Sequence, residues 1–280
     1  LQANPDVLSF QDEDSILSFP SEGAMLADLQ AQMRKDFPDF PKEPAISFSC
    51  KIKRVSPAME PYCSPAYYLT PPVDDLGNNI IYINHRNQPD SLTLYTTLAH
   101  EGYPGHLYQT VYSQLCLQNR NAPLIRSLLH YGGYVEGWAL YVEDLSYSYA
   151  ASASGDPAKS AYVEACRLNR NLQLSLYSLL DIAIHYDGAD LQKTSSILSK
   201  AGITDPSAAR AIYEYIAEEP ATYPKYYVGF LELCLLKQEA RTLWGQNYSD
   251  KLFHQFVLET GPSDFTGLWD RLALWEQKLS

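Results

Sequence analysis

The chain lacks any uncharged apolar run of about 18 residues, so no segment is written to span a membrane as a helix. Positive charge is also scarce: Lys and Arg number 21 against 33 Asp and Glu, giving a formal net charge of −12. The densest basic stretch is Lys51, Lys53 and Arg54. A nucleic-acid partner needs a concentrated basic face, and none is written here. The five cysteines (Cys50, Cys63, Cys116, Cys166, Cys234) are scattered without a CxxC pair. They imply no disulfide framework and read as small buried hydrophobes. The opening Leu1-Gln2-Ala3-Asn4-Pro5 has no initiator Met, no basic region and no apolar signal core. The chain therefore reads as a fragment, with any targeting peptide outside this numbering.

What is present is a core-forming composition. Hydrophobic residues make up 46% and charged residues 19%, which argues against disorder. A length of 280 residues allows one large domain or two small ones. No repeat, low-complexity run or composition shift marks a boundary, so residues 1–280 read as a single domain. Residues 1–90 form a mixed strand and loop region. A helix is expected over 21–37, where Leu26, Leu29 and Met33 have helical spacing and Pro38 follows. Alternating strands are expected at Ile46–Ile52 and Asn79–Asn84, joined by a turn at Pro71-Pro72 and Asp75–Asn78. Residues 91–280 form a helical body. Ser91 can cap a helix over 92–103. Further helices are expected near 106–119, 122–151, 157–187, 190–200, 206–218, 225–244, 249–260 and 264–279. Gly155-Asp156-Pro157, Gly202, Asp205-Pro206 and Gly261-Pro262 punctuate them as stops and starts. The fold class is mainly α with a small β-sheet (α+β).

The stretch with chemical content is Thr97-Leu98-Ala99-His100-Glu101-Gly102-Tyr103-Pro104-Gly105-His106. Two histidines flanking a glutamate is the logic of zinc hydrolases: imidazoles bind the metal and the Glu acts as general base. The spacing is unusual. Six residues on an ideal helix amount to a rotation of about 240°, so the rings would diverge. Pro104 removes a backbone bond to the carbonyl of His100 and pushes that carbonyl aside. Gly105 permits a backbone path closed to other residues. A Pro-Gly detour can thus return His106 toward His100. The alternative is that Pro104-Gly105 simply ends one helix and His106 starts the next. Further on, Glu136 and Glu143 lie seven apart on one helical face, amid Val135, Trp138, Ala139, Leu140 and Val142. Buried carboxylates need a cation or a donor. A metal would supply one, and Arg126, Arg167 or Arg170 would supply the other.

His-Glu-Gly-Tyr-Pro-Gly-His (100–106) followed by Glu-Gly-Trp-Ala-Leu-Tyr (136–141) resembles the DUF885 family, a bacterial group assigned to the zincin-like metallopeptidases. Arg167 through Asp181-Ile182-Ala183-Ile184-His185 is similar to the family's Arg…Asp-x-Gly-Leu-His helix, with Ala183 in place of Gly. Pro220 through Tyr226-Tyr227-Val228-Gly229 is similar to its Pro…Tyr-x-x-Gly segment, and Phe253-His254 with Gly261 matches a later pattern. The likeness covers about residues 60–275. Family members are longer at the N-terminus, so it implies that this chain is the C-terminal catalytic part of a longer protein.

The resemblance implies a zinc-dependent peptide hydrolase, gluzincin-like, in which Glu101 activates the water held by Zn2+. His100 and His106 would be metal ligands. Glu136 would be the third, with Glu143 in reserve or orienting a ligand from behind. Tyr226 would donate to the oxyanion, with Tyr227 as the fallback. His185, one turn from Asp181, could donate to a ligating carboxylate or to substrate, or sit in the core satisfied by Asp181. His254 and His130 read as structural. The strand before the His100 helix could pair with a peptide backbone. Two other readings stay open: a 2-His-1-carboxylate iron enzyme, and a non-catalytic binding module. The acidic balance favours neutral or basic peptides at low ionic strength. Similar proteins are often exported, which implies the cell envelope or the exterior.

Overall fold

The structure is a computed structural model that describes residues 16–42, 46–86 and 89–276. Helices take up 65% of it, with one three-stranded sheet, so the α+β class with a helical body holds. Helix α1 (Glu22–Met33) precedes the strands β1 (Ser49–Arg54), β2 (Ala66–Leu69) and β3 (Asn78–Ile83). The helical body runs α2 (Ser91–Glu101), α3 (His106–Asn119), α4 (Ile125–Leu128), α5 (Gly132–Ser154), α6 (Pro157–His185), α7 (Leu191–Lys200), α8 (Pro206–Glu218), α9 (Thr222–Trp244), α10 (Asp250–Thr260) and α11 (Phe265–Glu276). Residues 277–279, expected to continue the last helix, lie outside the described residues.

The sheet corrects the expected two-strand arrangement. Its order is β1-β3-β2, with β1 parallel to β3 and β2 antiparallel to it. β2 lies outside the two expected strands, because its four residues between Pro65 and Pro71-Pro72 are too short a run to show a period of their own. β3 is therefore the central strand, bonded on both edges. It has no free edge to offer a peptide, and β2 is the strand that borders the helical body beside α2. Ile81 and Ile83 of β3 point inward and are fully buried, as a period of two requires.

Helix ends follow local chemistry. Asp156 caps α6 through Ala158 N, with Pro157 in the first turn, and Asp205 and Pro206 repeat the device at α8. Asp90 caps α2 through Thr93 N at 2.8 Å, in place of the expected Ser91. The Ser91 hydroxyl instead accepts a bond from Leu17 N. The expected 122–151 helix divides into α4 and α5, with Gly132-Gly133 opening the second.

α5 is the axis of the body. Trp138, Leu140 and Val142 are fully buried in the main core with residues of α2, α3, α9 and α10. Truncating a side chain such as Trp138 costs about 3–5 kcal/mol. A smaller cluster of Leu180, Leu198, Ala209 and Ile216 joins α6 to α7 and α8. α5 and α9 cross at glycines. A Cβ on Gly229 would lie 2.3 Å from the Gly133 carbonyl oxygen, and one on Gly137 would lie 2.5 Å from the Gly229 carbonyl carbon. The contact is backbone to backbone, so no rotamer change relieves it. Gly229→Ala is expected to destabilise the chain by about 1–3 kcal/mol, read from the urea midpoint. An unchanged midpoint would mean that the two helices can slide apart freely.

Candidate metal centre

The last turn of α2 carries His100 and Glu101, and His106 opens α3. The four residues between them form a tight detour that includes a cis Tyr103–Pro104 bond. Gly102 N bonds back to Leu98 O at 2.9 Å, and Tyr108 N to Gly102 O at 3.2 Å, so backbone bonds tie the detour to the helices on either side. Gly105 is required by close approach: a Cβ there would lie 1.8 Å from the His100 carbonyl oxygen. The close approach gives glycine a steric reason at this position. The Trp138 indole N–H donates to Pro104 O at 2.9 Å. α5 thus fixes the detour through Trp138 and delivers Glu136 from the preceding half-turn.

The two imidazoles converge. Their ring centroids are 4.8 Å apart and nearly perpendicular. Glu136 Oε2 lies 3.8 Å from His100 Nε2 and 3.4 Å from His106 Nε2. It is buried and has no hydrogen-bond partner among the described residues. Glu101 joins the two histidines in a set whose candidate ligand atoms all lie within 4.8 Å of one another. Tyr68 N of β2 donates to Glu101 Oε2 at 2.8 Å, tying that carboxylate to the sheet.

Glu143 stands on the far side of His100. Its Oε2 is 2.9 Å from His100 Nδ1, and its Oε1 accepts from Arg170 Nε at 2.9 Å. The two glutamates divide accordingly. Glu143 has the arginine partner that its burial demands, as one sequence reading allowed. Glu136 does not: Arg167 pairs with Asp144 and Glu164, and Arg126 donates to Thr260 O and Pro262 O. With Nδ1–H given to Glu143, Nε2 is the nitrogen that faces Glu136, and it becomes a lone-pair donor where a cation takes the place of its proton. A tetrahedral ion with bonds of about 2.0–2.1 Å spaces its ligand atoms about 3.3–3.4 Å apart, close to the gaps observed here. The donor set therefore fits a divalent cation at His100, His106 and Glu136, with Glu101 beside it.

The electrostatics are coherent. Burial disfavours the His100 imidazolium, but Glu136 and Glu143 outweigh it and hold its pKa up to about 10. Burial pushes the Glu136 carboxyl up, while His100 and His106 bring it well below the ordinary range. Burial likewise opposes ionisation of Glu143, yet Arg170 and His100 bring its pKa down to about 2. Tyr226 of α9 stacks on His100 with centroids 6.2 Å apart. Burial, then the charges of Glu136 and Glu101, raise its pKa well above the usual phenol value, so it stays an O–H donor. His100, Glu101 and Tyr226 face a cavity of about 550 Å³, within the range of ligand sites.

Three expected residues lie elsewhere. Asp181 is buried and accepts from Ala221 N at 3.0 Å and Tyr223 N at 3.1 Å, and His185 Nδ1 lies 2.9 Å from the same carboxylate. The pair closes the start of α9, which carries Tyr226, and reaches no ligating carboxylate. Tyr227 packs on Phe230 with centroids 5.8 Å apart and does not line the cavity. His254 is a core residue bonded to Tyr141, as read from the sequence. His130 is exposed between α4 and α5. Sequence reasoning missed the Tyr68 N–H, because a backbone donor leaves no residue-type signal. It also left the specific Arg170–Glu143 bond unassigned, since the two lie 27 residues apart.

A mainly helical α+β protein with two histidines and two glutamates around one buried point is the class that fold and site define. The chain belongs to DUF885, described as a family of bacterial proteins of unknown function, whose profile matches residues 12–266. No curated protein matches it in sequence. A solved structure of a candidate lipoprotein from Colwellia psychrerythraea is similar, with a TM-score of 0.74 and 23% identity over 92% of this chain and 42% of that one. A candidate lipoprotein of unknown function from Shewanella oneidensis has a TM-score of 0.64 and 19% identity over 96% of this chain and 46% of its own. The chain thus spans less than half the length of either, and the likeness is one of fold. Among the described residues no helix is long and apolar enough to cross a membrane.

The raised His100 pKa sets a pH dependence for chelator-treated protein. A folded pKa above the unfolded value of about 6.5 gives stability that is complete below pH 6.5 and lost as pH rises through about 10. The urea midpoint is expected to fall across that window, and His100→Gln to flatten the fall. A flat wild-type profile would contradict the cage electrostatics.

Proposed function

We propose that this chain is the catalytic part of a zinc-dependent peptide hydrolase. The observation that carries the reading is the buried Glu136 oxygen, without a hydrogen-bond donor, set between two imidazole nitrogens. His100, His106 and Glu136 would hold Zn2+, which when bound polarises a carbonyl and makes water acidic enough to attack it. Glu101, fixed by the Tyr68 N–H, takes the proton from the attacking water and returns it to the departing amine nitrogen. Tyr226, held as a protonated phenol beside Glu136 and Glu101, donates to the oxygen on which negative charge develops. Glu143 and Arg170 keep the His100 ring in the orientation and tautomer that ligation needs. The peptide enters through the cavity bordered by Ala66 and Thr97. The relatives described as candidate lipoproteins support a place in the cell envelope.

Elemental analysis of the purified chain is expected to give about one zinc per molecule, and Glu136→Ala to lower metal affinity by about two orders of magnitude or more. Iron with oxygen consumption in place of zinc would transfer the site to oxygenase chemistry. Glu101→Gln is expected to retain the metal and to lose at least about 100-fold in cleavage of a mixed peptide pool, followed by mass spectrometry. Full activity in that variant would remove Glu101 as the base.

A further inference from the structure

The cavity beside the cage is lined by hydroxyls, carboxylates and, among the described residues, one permanently charged cation, Arg170. Its Nε is committed to Glu143 at 2.9 Å. Its two Nη groups make no hydrogen bond among the described residues, and the side chain is 42% exposed, so a ligand can reach them. Four of the five guanidinium N–H groups, all on a residue that lines the cavity, therefore remain available. The anchoring bond fixes the plane of the fork, so little freedom is lost when the remaining N–H groups meet an acceptor. The hydroxyl-bearing residues Tyr147, Tyr215 and Tyr223 border the same space. A planar pair of N–H donors on a cavity wall is the receptor geometry for a carboxylate.

We propose that Arg170 receives a carboxylate of the substrate, so that the site selects peptides bearing a negative group near the bond presented to His100 and Glu101. The chain as a whole is acidic, with a net charge of −12, which disfavours such peptides at long range. A local fork overrides that field at contact because salt screens the distant charges and not the bonded pair. The carboxylate has two sources, the C-terminus of the peptide or an acidic side chain. The first makes the enzyme a carboxypeptidase, and the second gives it an acid-selective pocket. The substrate class rests on the hydrolase reading, whereas the carboxylate site itself does not.

The test reads binding without turnover, on zinc-loaded Glu101→Gln protein, by titration calorimetry. Four probes are compared: acetyl-Ala-Tyr-Ala as free acid and as amide, and the amides of acetyl-Ala-Glu-Ala and acetyl-Ala-Gln-Ala. An acid-over-amide preference of at least about tenfold in the first pair assigns the C-terminus, and the same preference for Glu over Gln in the second assigns a side chain. Arg170→Lys, which keeps the charge and loses the fork, is expected to bring the preferred ratio to within about threefold of unity. Equal binding within both pairs in the Arg170 protein overturns the proposal, and so does a ratio that survives in Arg170→Lys. Should the lysine variant fail to fold, the pairwise ratios in the Arg170 protein decide alone. A carboxylate preference without hydrolysis by the unsubstituted chain would sink the hydrolase reading and leave this one standing. Hydrolysis without any carboxylate preference would do the reverse.

Discussion

A carboxylate oxygen removed from water and given no donor is among the least favourable groups a fold can contain. Leaving such a group unpaired costs several kcal/mol, and native interiors rarely hold one. Glu136 Oε2 is in that position, within 3.8 Å of two imidazole nitrogens. Two states of the cage relieve it. Protonated imidazoles supply charge, as the raised His100 pKa expresses. A divalent ion supplies more charge at the same point and displaces those protons. The two states compete for one location, so proton and metal occupancy are linked whatever chemistry follows.

The architecture around that oxygen has one organising element. α5 carries Glu136, the Trp138 indole that holds the Pro104 carbonyl, and Glu143, which orients His100. Its glycines let α9 approach closely enough for Tyr226 to reach His100. Four separate requirements of the site therefore depend on the placement of a single helix. α6 adds the outer layer through Arg170 and, through Asp181, secures the first turn of α9. Even the residues that fail to reach the cage thus help to position it.

Much of the helical frame was legible, because its punctuation is local. Asp156-Pro157 and Asp205-Pro206 each combine a capping acceptor with a residue suited only to a first turn, and both open helices where expected. The meeting of His100 and His106 was legible for a similar reason, since a Pro-Gly insert is the one local device that returns a ring six positions on. The failures are non-local. β2 is four residues among prolines, and only its partner β3 makes it a strand. Asp181 and His185 share a helix face, but the Ala221 and Tyr223 N–H groups that claim the carboxylate lie some 40 residues away and carry no side-chain signature. The division of labour between Glu136 and Glu143 turns on which face of His100 each meets, and periodicity is silent on that.

The separation of those two glutamates has a chemical consequence. Both are ionised, and they meet opposite nitrogens of the same ring. Glu143 accepts at Nδ1 and is neutralised from behind by Arg170, so Nε2 is left for the Glu136 side, protonated in the metal-free cage and a lone-pair donor where a cation replaces that proton. A negative charge on the outer side of an imidazole raises its basicity, which strengthens a donor to a cation on the inner side. Anything that draws Arg170 away from Glu143 would increase that negative charge, and anything that binds its free Nη groups leaves the anchoring Nε bond in place. The site is therefore arranged so that a ligand can meet the outer arginine while the inner donor geometry stays fixed.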